Sequence, residues 1–400
     1  MLRVLFVESG MTGGGSFESL LQHMKALDRS RIEPHTVFLN RTKYCDLFAA
    51  AGLPFHLVRD PLFDRGVNER HPGLVRAAGG ALRVAQGVLP PLAAGLEGLA
   101  HAGAVRALTD LIRSQHIDLV HTNNQPNRDF YALLAARAAG RPCVAHLRSF
   151  FSKGFVPAKQ RFAAAHVACF VAYSPGMADH WADQGLPRDK IRVVPNAIAQ
   201  EPVEPCAVRA RYGIPAGSPV IGIVGKIIPV RGHACLLRAV AALDPALDAR
   251  LLVVGGGDSA QTGAVTRLAR DLGLAGRVVM AGPAPDAKPI IAGLDILALP
   301  YSIEPFGRVL LEAMSLGVPT VVSDLGHIRE MTGGGAASVL FPAGDHRALA
   351  AALEGVFTRP EERAARIEAA RRLVRERYSM EAYVRDLDGI YTQAAKRGAP

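Results

Sequence analysis

Short runs of β-branched and other apolar residues alternate along the chain with Ala/Leu-rich helical stretches, the pattern of parallel sheets with crossover helices. In the first half the runs are 3–9 (RVLFVES), 35–39 (HTVFL), 55–58 (FHLV), 118–122 (DLVHT), 143–147 (CVAHL), 169–174 (CFVAYS) and 192–196 (RVVPN). The pattern breaks over 197–219, AIAQEPVEPCAVRARYGIPAGSP, which is Pro-rich, carries no sustained strand run and reads as a linker with one short helix. A second series follows at 220–226 (VIGIVGK), 250–257 (RLLVVGGG), 277–282 (RVVMAG), 295–300 (DILALP), 320–324 (TVVSD) and 338–343 (SVLFPA). The economical reading is α/β with two doubly wound, Rossmann-like domains: 1–196, a linker over 197–217, 218–378, and a C-terminal helix over 379–400 that packs back on the first domain. In open parallel sheets, ligands sit beyond the carboxyl ends of the strands, so two such sheets facing one another would make an interdomain cleft of those ends.

Composition narrows the class without changing this outline. The 400 residues are 49% hydrophobic and 20% charged, as in a soluble globular protein. Val84–Leu96, a charge-free stretch of 13 residues, is interrupted by Pro90-Pro91. It falls short of the roughly 18 apolar residues a spanning helix needs. The start, MLRVLFVESG, runs directly into a strand pattern without a basic segment and a long apolar core, so a cytoplasmic protein is expected. The five cysteines are scattered and form no Cys-x-x-Cys pair, which indicates neither a disulfide framework nor a zinc site.

The net charge of +10 is uneven: +8 falls in residues 1–200 and +2 in the remainder. Such an excess suits nucleic acid, an anionic membrane surface or a phosphorylated small molecule; no recognised nucleic-acid motif accompanies it. The segment between His71 and His116 mixes small apolar residues with Arg76, Arg83, Arg106 and Arg113. It reads either as a helix lying on a membrane face or as ordinary helices with arginines in water.

Three turns at strand ends could carry chemistry. Gly13-Gly14-Gly15 falls between the first strand and the first helix, where glycines let backbone N–H groups approach an anion or a sugar. It matches neither the dinucleotide fingerprint nor the P-loop, and a flexible turn without a ligand fits the residues equally well. In VGKIIPVRGH, Lys226 ends a strand and Arg231 follows five residues on; together they would neutralise a diphosphate, with solvated surface charge as the alternative. In EPFGRVLLEAMSLGVP, Pro305 and Gly307 stand where a helix should begin, so the N–H groups of Phe306 and Gly307 can face an anion. Positions 309, 310, 313 and 314 share one apolar helix face with Glu312 on its flank, where a carboxylate can accept two hydrogen bonds from a vicinal diol. Glu304, just before the helix, would meet hydroxyls or the phosphate; a surface-exposed pair of glutamates is the bland alternative.

With Glu304-x7-Glu312 enclosing PFG, GVPTVVSD after it, VGK…RGH, VVPNAI before the linker, and Glu330 in SDLGHIRE, the chain resembles the retaining GT-B glycosyltransferases of family 4 (glycosyltransferase group 1) over nearly its whole length. The resemblance implies a GT-B fold and a donor nucleotide sugar, UDP- or GDP-linked. Glu312 would hold the ribose hydroxyls, the amides of Phe306 and Gly307, beside Gly225, the diphosphate, and Glu304 the transferred sugar or the phosphate. Lys226 and Arg231 would neutralise the departing diphosphate, although the family usually has Arg at the first place and Lys at the second. Gly13, Gly14 and Gly15 would form the acceptor-side loop, and His146 would approach the sugar, although a structural role fits an isolated histidine at a strand end equally well. No cofactor and no metal are expected, since no Asp-x-Asp motif stands at a suitable strand end. The expected acceptor is a glycan, a lipid-linked glycan or a small molecule, with an anionic membrane face as a further partner and cell-envelope or polysaccharide synthesis as the setting. Two rival readings are a sugar-nucleotide epimerase of similar build and an inert nucleotide-sugar-binding protein.

Overall fold

The computed structural model describes residues 1–9, 15–39, 41–58, 99, 101–148, 150, 157–303 and 307–397. The chain divides into two compact units, Met1–Asn196 with Met380–Pro400, and Ala197–Ser379.

Among the described residues the first unit holds a seven-stranded sheet in the order β3-β2-β1-β4-β5-β6-β7. The strands are β1 Leu2–Glu8, β2 Ile32–Phe38, β3 Phe55–Leu57, β4 Leu119–Thr122, β5 Cys143–Leu147, β6 Val167–Ala172 and β7 Ile191–Val193. Every pairing is parallel. A parallel sheet covered on both faces needs apolar residues on both sides of each strand, and Val4, Leu5, Phe6 and Val7 are all fully buried. The Gly15–Ala26 helix covers part of it through Phe17, Leu20, Leu21 and Met24, spaced three and four apart. The C-terminal helix Met380–Arg397 buries Tyr383, Leu387, Tyr391 and Ala394 on one stripe, against β4, β5, β6 and the Gly15–Ala26 helix. Of the Arg-bearing segment, residues 71–98 lie outside the described set. Its last part is the Ala102–Ser114 helix, which buries Ala104, Leu108 and Ile112 and leaves Arg106 and Arg113 exposed.

The second unit, again among the described residues, holds six parallel strands in the order β10-β9-β8-β11-β12-β13. They are β8 Val220–Val224, β9 Arg250–Val254, β10 Val278–Gly282, β11 Ile296–Leu299, β12 Thr320–Ser323 and β13 Val339–Phe341. Alternate residues serve opposite layers. Val220, Val224, Leu252 and Leu297 pack with Leu310 and Met314, whereas Ile221, Ile223, Leu251 and Ile296 pack with Leu236 and Leu353. The Pro-rich segment expected as a linker over 197–217 is packed into this unit. Val208 and Ile214 are buried, the Cys206 amide donates to Pro289 O at 2.8 Å, and Ile198 bridges to Ser379.

In both sheets the strand order reverses beside the first strand of the series, between β1 and β4 and between β8 and β11. Such switch points leave a crevice beyond the carboxyl ends of the two strands, because their connections run to opposite faces. Among the described residues no helix is long and apolar enough to cross a membrane.

Candidate functional site

Each switch point carries a cluster of polar groups. In the second unit β8 ends at Val224, and Gly225 follows at φ 140°, a backbone state open to glycine. The neighbouring turn after β9 is pressed against it: a Cβ on Gly255 would lie 1.8 Å from Gly225 O. Lys226 is exposed. The chain then forms a 3₁₀ turn, Pro229–Arg231, and Gly232 meets Pro300 so closely that a Cβ there would lie 1.8 Å from Pro300 O. Ser302 N donates to Val230 O at 3.1 Å, so the turns after β8 and β11 are joined backbone to backbone.

Arg231 lies at this junction. Its Nη1 donates to Tyr301 Oη at 3.0 Å, and its guanidinium carbon is 5.1 Å from the centroid of the Tyr301 ring. Burial pushes the Tyr301 phenol above its usual range against the pull of Arg231, and the charge of Glu312 adds to the rise. Glu312 therefore belongs to the same electrostatic neighbourhood. It projects from the Arg308–Leu316 helix, where Leu310, Leu311, Ala313 and Met314 are fully buried, and it pairs with Arg308 at 3.0 Å with both side chains largely covered. Gly307, at φ 80°, precedes that helix, and a Cβ on it would lie 2.4 Å from Met331 Sδ. The structure thus gathers Gly225, Lys226, Arg231, Gly307 and Glu312 at one end of one sheet. Glu304 and Phe306 lie outside the described residues.

The first unit's cluster is acidic and amidic. Glu8, 1% exposed at the end of β1, accepts from Asn123 Nδ2 at 2.5 Å and Asn124 Nδ2 at 2.8 Å, both just past β4. Asn123 Oδ1 accepts from Arg148 Nη2 at 2.7 Å, and its Nδ2 also donates to Ser16 O at 3.1 Å. Asp129, fully buried, accepts from Ser9 Oγ and from the Asn124 amide. Burial first, and then the charge of Glu8, push its carboxyl up to about 7 against those hydrogen bonds. Gly15 opens the adjoining helix, whereas Gly13 and Gly14 lie outside the described residues.

His146 requires a correction. Expected to approach a sugar, it is 2% exposed, with Nδ1 2.6 Å from His121 Nε2 and Nε2 3.4 Å from Tyr383 Oη. His121 in turn meets Tyr391 Oη at 2.5 Å. Both ring nitrogens of His146 are committed beneath the C-terminal helix, so the residue is part of that helix's seat rather than a ligand group. Burial holds His146 and His121 well below the usual imidazole range, and His23 beside them is lowered to about 3.

Residue patterns had not singled out Tyr301, Arg308, Glu8, Asn123, Asn124, Asp129 or Arg148. One signal was present: the polar run Thr122–Gln125 directly after an apolar strand is where a switch-point site would stand.

Chemically, the second unit offers an anchored guanidinium and a covered carboxylate within one crevice. That suits a ligand with an anionic part and a hydroxylated part. The first unit offers a hydrogen-bonding floor.

Comparison with known proteins agrees with this division. A family model described as Glycosyltransferase Family 4 matches residues 14–201, and one described as Glycosyl transferases group 1 matches residues 218–359. The chain is 30% identical over 388 residues to a 2-deoxystreptamine N-acetyl-D-glucosaminyltransferase of Streptomyces fradiae, which covers 85% of this chain and 90% of that one. It is 36% identical over 153 residues to the lipopolysaccharide core biosynthesis glycosyltransferase LpsE of Rhizobium meliloti, covering 38% of this chain and 43% of LpsE, so this match spans less than half of that relative. Among solved structures, Anabaena HepE in complex with UDP-glucose superposes with a TM-score of 0.76 at 19% identity, over 98% of this chain and 100% of that one.

Proposed function

Since the chain belongs to the group 1, family 4 glycosyltransferases and has their GT-B fold, we propose that it moves a sugar, with retention of configuration, from a nucleoside-diphosphate sugar to a glycan, lipid-linked or small-molecule acceptor in envelope or polysaccharide synthesis. The observation that carries this is the junction of Arg231, Tyr301 and Glu312 at the switch point between β8 and β11. The presence of UDP-glucose in the HepE structure supports a nucleotide-sugar donor, with UDP or GDP as its nucleotide. Glu312 accepts from the ribose hydroxyls, Arg231 and Lys226 face the diphosphate, and Glu304, Phe306 and Gly307 line the same ligand.

Departure of the diphosphate builds negative charge on its oxygens. Two cations beside it stabilise the transition state more than the ground state, the kind of interaction that raises turnover. The reaction is a front-face substitution: the departing diphosphate takes the acceptor proton, with no metal and no protein nucleophile. Gly13–Gly15 and the floor built from Glu8, Asn123 and Asn124 serve the acceptor. A cytoplasmic enzyme resting on an anionic membrane face fits the +8 charge of residues 1–200.

A thermal-shift screen against UDP-, GDP- and ADP-sugars tests the donor. A ligand at 100 times its Kd adds about 2.7 kcal/mol to the native state. That raises the melting temperature of a unit of this size by about 5–10 °C. No shift with any of the three sinks the proposal.

A further inference from the structure

We infer that Tyr301 is a positioning residue: it holds the Arg231 guanidinium at the carboxyl end of β8, and through Arg231 it makes the site prefer a nucleoside diphosphate to a monophosphate. This rests on the nucleotide-sugar reading of the same site. An arginine on a surface turn ordinarily spreads over many rotamers, and fixing it costs conformational entropy at the moment a ligand binds. Here the side chain is restrained beforehand. Its guanidinium carbon is 5.1 Å from the centre of the Tyr301 ring, and one of its N–H groups is held by the Tyr301 hydroxyl.

The restraint is rigid because Tyr301 itself cannot move. The side chain is 2% exposed, its amide donates to Leu299 O at 2.9 Å, and Ser302 N is bonded to Val230 O, the residue before Arg231. Gly232, the residue after, has no room for a Cβ against Pro300. The guanidinium also lies near the strand end: a Cβ on Gly225 would come within 3.7 Å of Arg231 Cζ, and glycine leaves that space open. The tyrosine thus fixes the guanidinium beside an open position at the end of β8.

A guanidinium carries five N–H donors in a planar fork, and the bond to Tyr301 uses one. The fork matches a pair of phosphate oxygens, whereas a lysine at 231 would present a point charge on a mobile stem. The arginine at a place where the family usually has lysine therefore works together with the tyrosine beneath it. The sequence marks Arg231 but not its support: Tyr301 stands between Pro300 and Ser302 as one more large residue after an apolar run.

Calorimetric titration of the full chain with UDP and UMP, GDP and GMP, and ADP and AMP tests this. The wild type binds one diphosphate more tightly than its monophosphate. Y301F, which keeps the ring and the packing, lowers the diphosphate affinity about 3–10-fold, the loss expected for one hydrogen bond. It leaves the monophosphate affinity unchanged, and Y301L, without the ring, lowers the diphosphate affinity further. In an R231A background Y301F has no additional effect. Equal losses for diphosphate and monophosphate in Y301F would make Tyr301 a packing residue only and overturn the inference. So would a Y301F effect that persists in R231A, or an unchanged Y301F beside a weakened R231A. A wild type that binds none of the nucleotides overturns the reading of the site and this inference with it.

Discussion

Replacing Asp129 with Asn removes a buried titrating group whose cost to the first unit grows with pH. The carboxyl titrates near 3.8 when the chain is unfolded and at about 7 in the fold. A raised folded pKa means that the native state holds the proton more tightly than the unfolded chain. The stabilisation is complete below pH 4 and is lost as pH rises toward 7. Each pH unit well inside that window is worth about 1.4 kcal/mol and the slope halves at the folded pKa, so the whole span comes to about 4 kcal/mol, and pH 5 to 7 to about 2 kcal/mol.

The wild type alone would not display this slope cleanly. His23, lowered to about 3, and His121 and His146, also lowered, lose their contribution as pH falls below 6.5, which tilts stability the other way. The difference between wild type and D129N cancels those histidines. Any cost of fitting an amide beside the Asn124 N–H is constant with pH and leaves the slope of that difference unchanged. Trp181 is the one tryptophan of the chain; it is 1% exposed and lies in the first unit, so its fluorescence follows this unit's urea unfolding separately from the other's. D129N should gain about 2 kcal/mol relative to wild type between pH 5 and pH 7 and level off above about pH 8. A difference that stays flat from pH 5 to 8, or that falls, would refute the assignment of a neutral, proton-bearing Asp129.

Other outcomes follow from the same geometry. E312A should weaken nucleotide-sugar binding by about 1.5–3 kcal/mol, the usual range for a charged hydrogen-bond partner; an unchanged dissociation constant in the folded variant removes Glu312 from the ribose contact. K226A should lower turnover more than donor affinity, and weakened binding with unchanged turnover would make Lys226 a binding group only. Y391F deprives His121 Nδ1 of a partner 2.5 Å away in a dry environment. It should lower the first unit's stability by about 1–3 kcal/mol, read as a shift of the Trp181 urea midpoint, and no shift would mean that the imidazole finds another partner.

The strands were legible because parallel strands buried on both faces must be continuous apolar runs: each of the thirteen runs read from the sequence overlaps a strand. What misled was local composition or a missing direction. The segment 197–217 looks like a linker because prolines and glutamates outnumber its anchors, yet Val208 and Ile214 suffice to bind it to the second unit. His146 sits near a strand's carboxyl end, and alternation along β5 does not say which face a helix from the far end of the chain will cover. That helix arrives 237 residues later, bringing Tyr383 within 3.4 Å. Glu312 could be read as a covered carboxylate on an apolar helix, but its pairing with Arg308 depends on how the two side chains share one flank.

The two switch points also differ in a way that bears on why their polar groups are there. A buried ionisable cluster is a poor means of stabilising a fold, since well-packed apolar residues of similar volume often do as well or better. Asp129 goes further and subtracts stability as pH rises toward neutrality, because burial and the charge of Glu8 disfavour its ionised form. Such an arrangement is more economically explained by what it orders than by what it stabilises. It orders two things at once. Ser9 is bonded to Asp129 and the Ser16 carbonyl to Asn123, so the described residues on either side of 10–14 are both tied to the segment that follows β4. The second unit uses a different device: glycines at 225, 232 and 255 let three turns touch, and Arg231 at their junction is held by an aromatic residue. In each unit the polar groups at the switch point are ordered by buried residues at or just past the ends of strands.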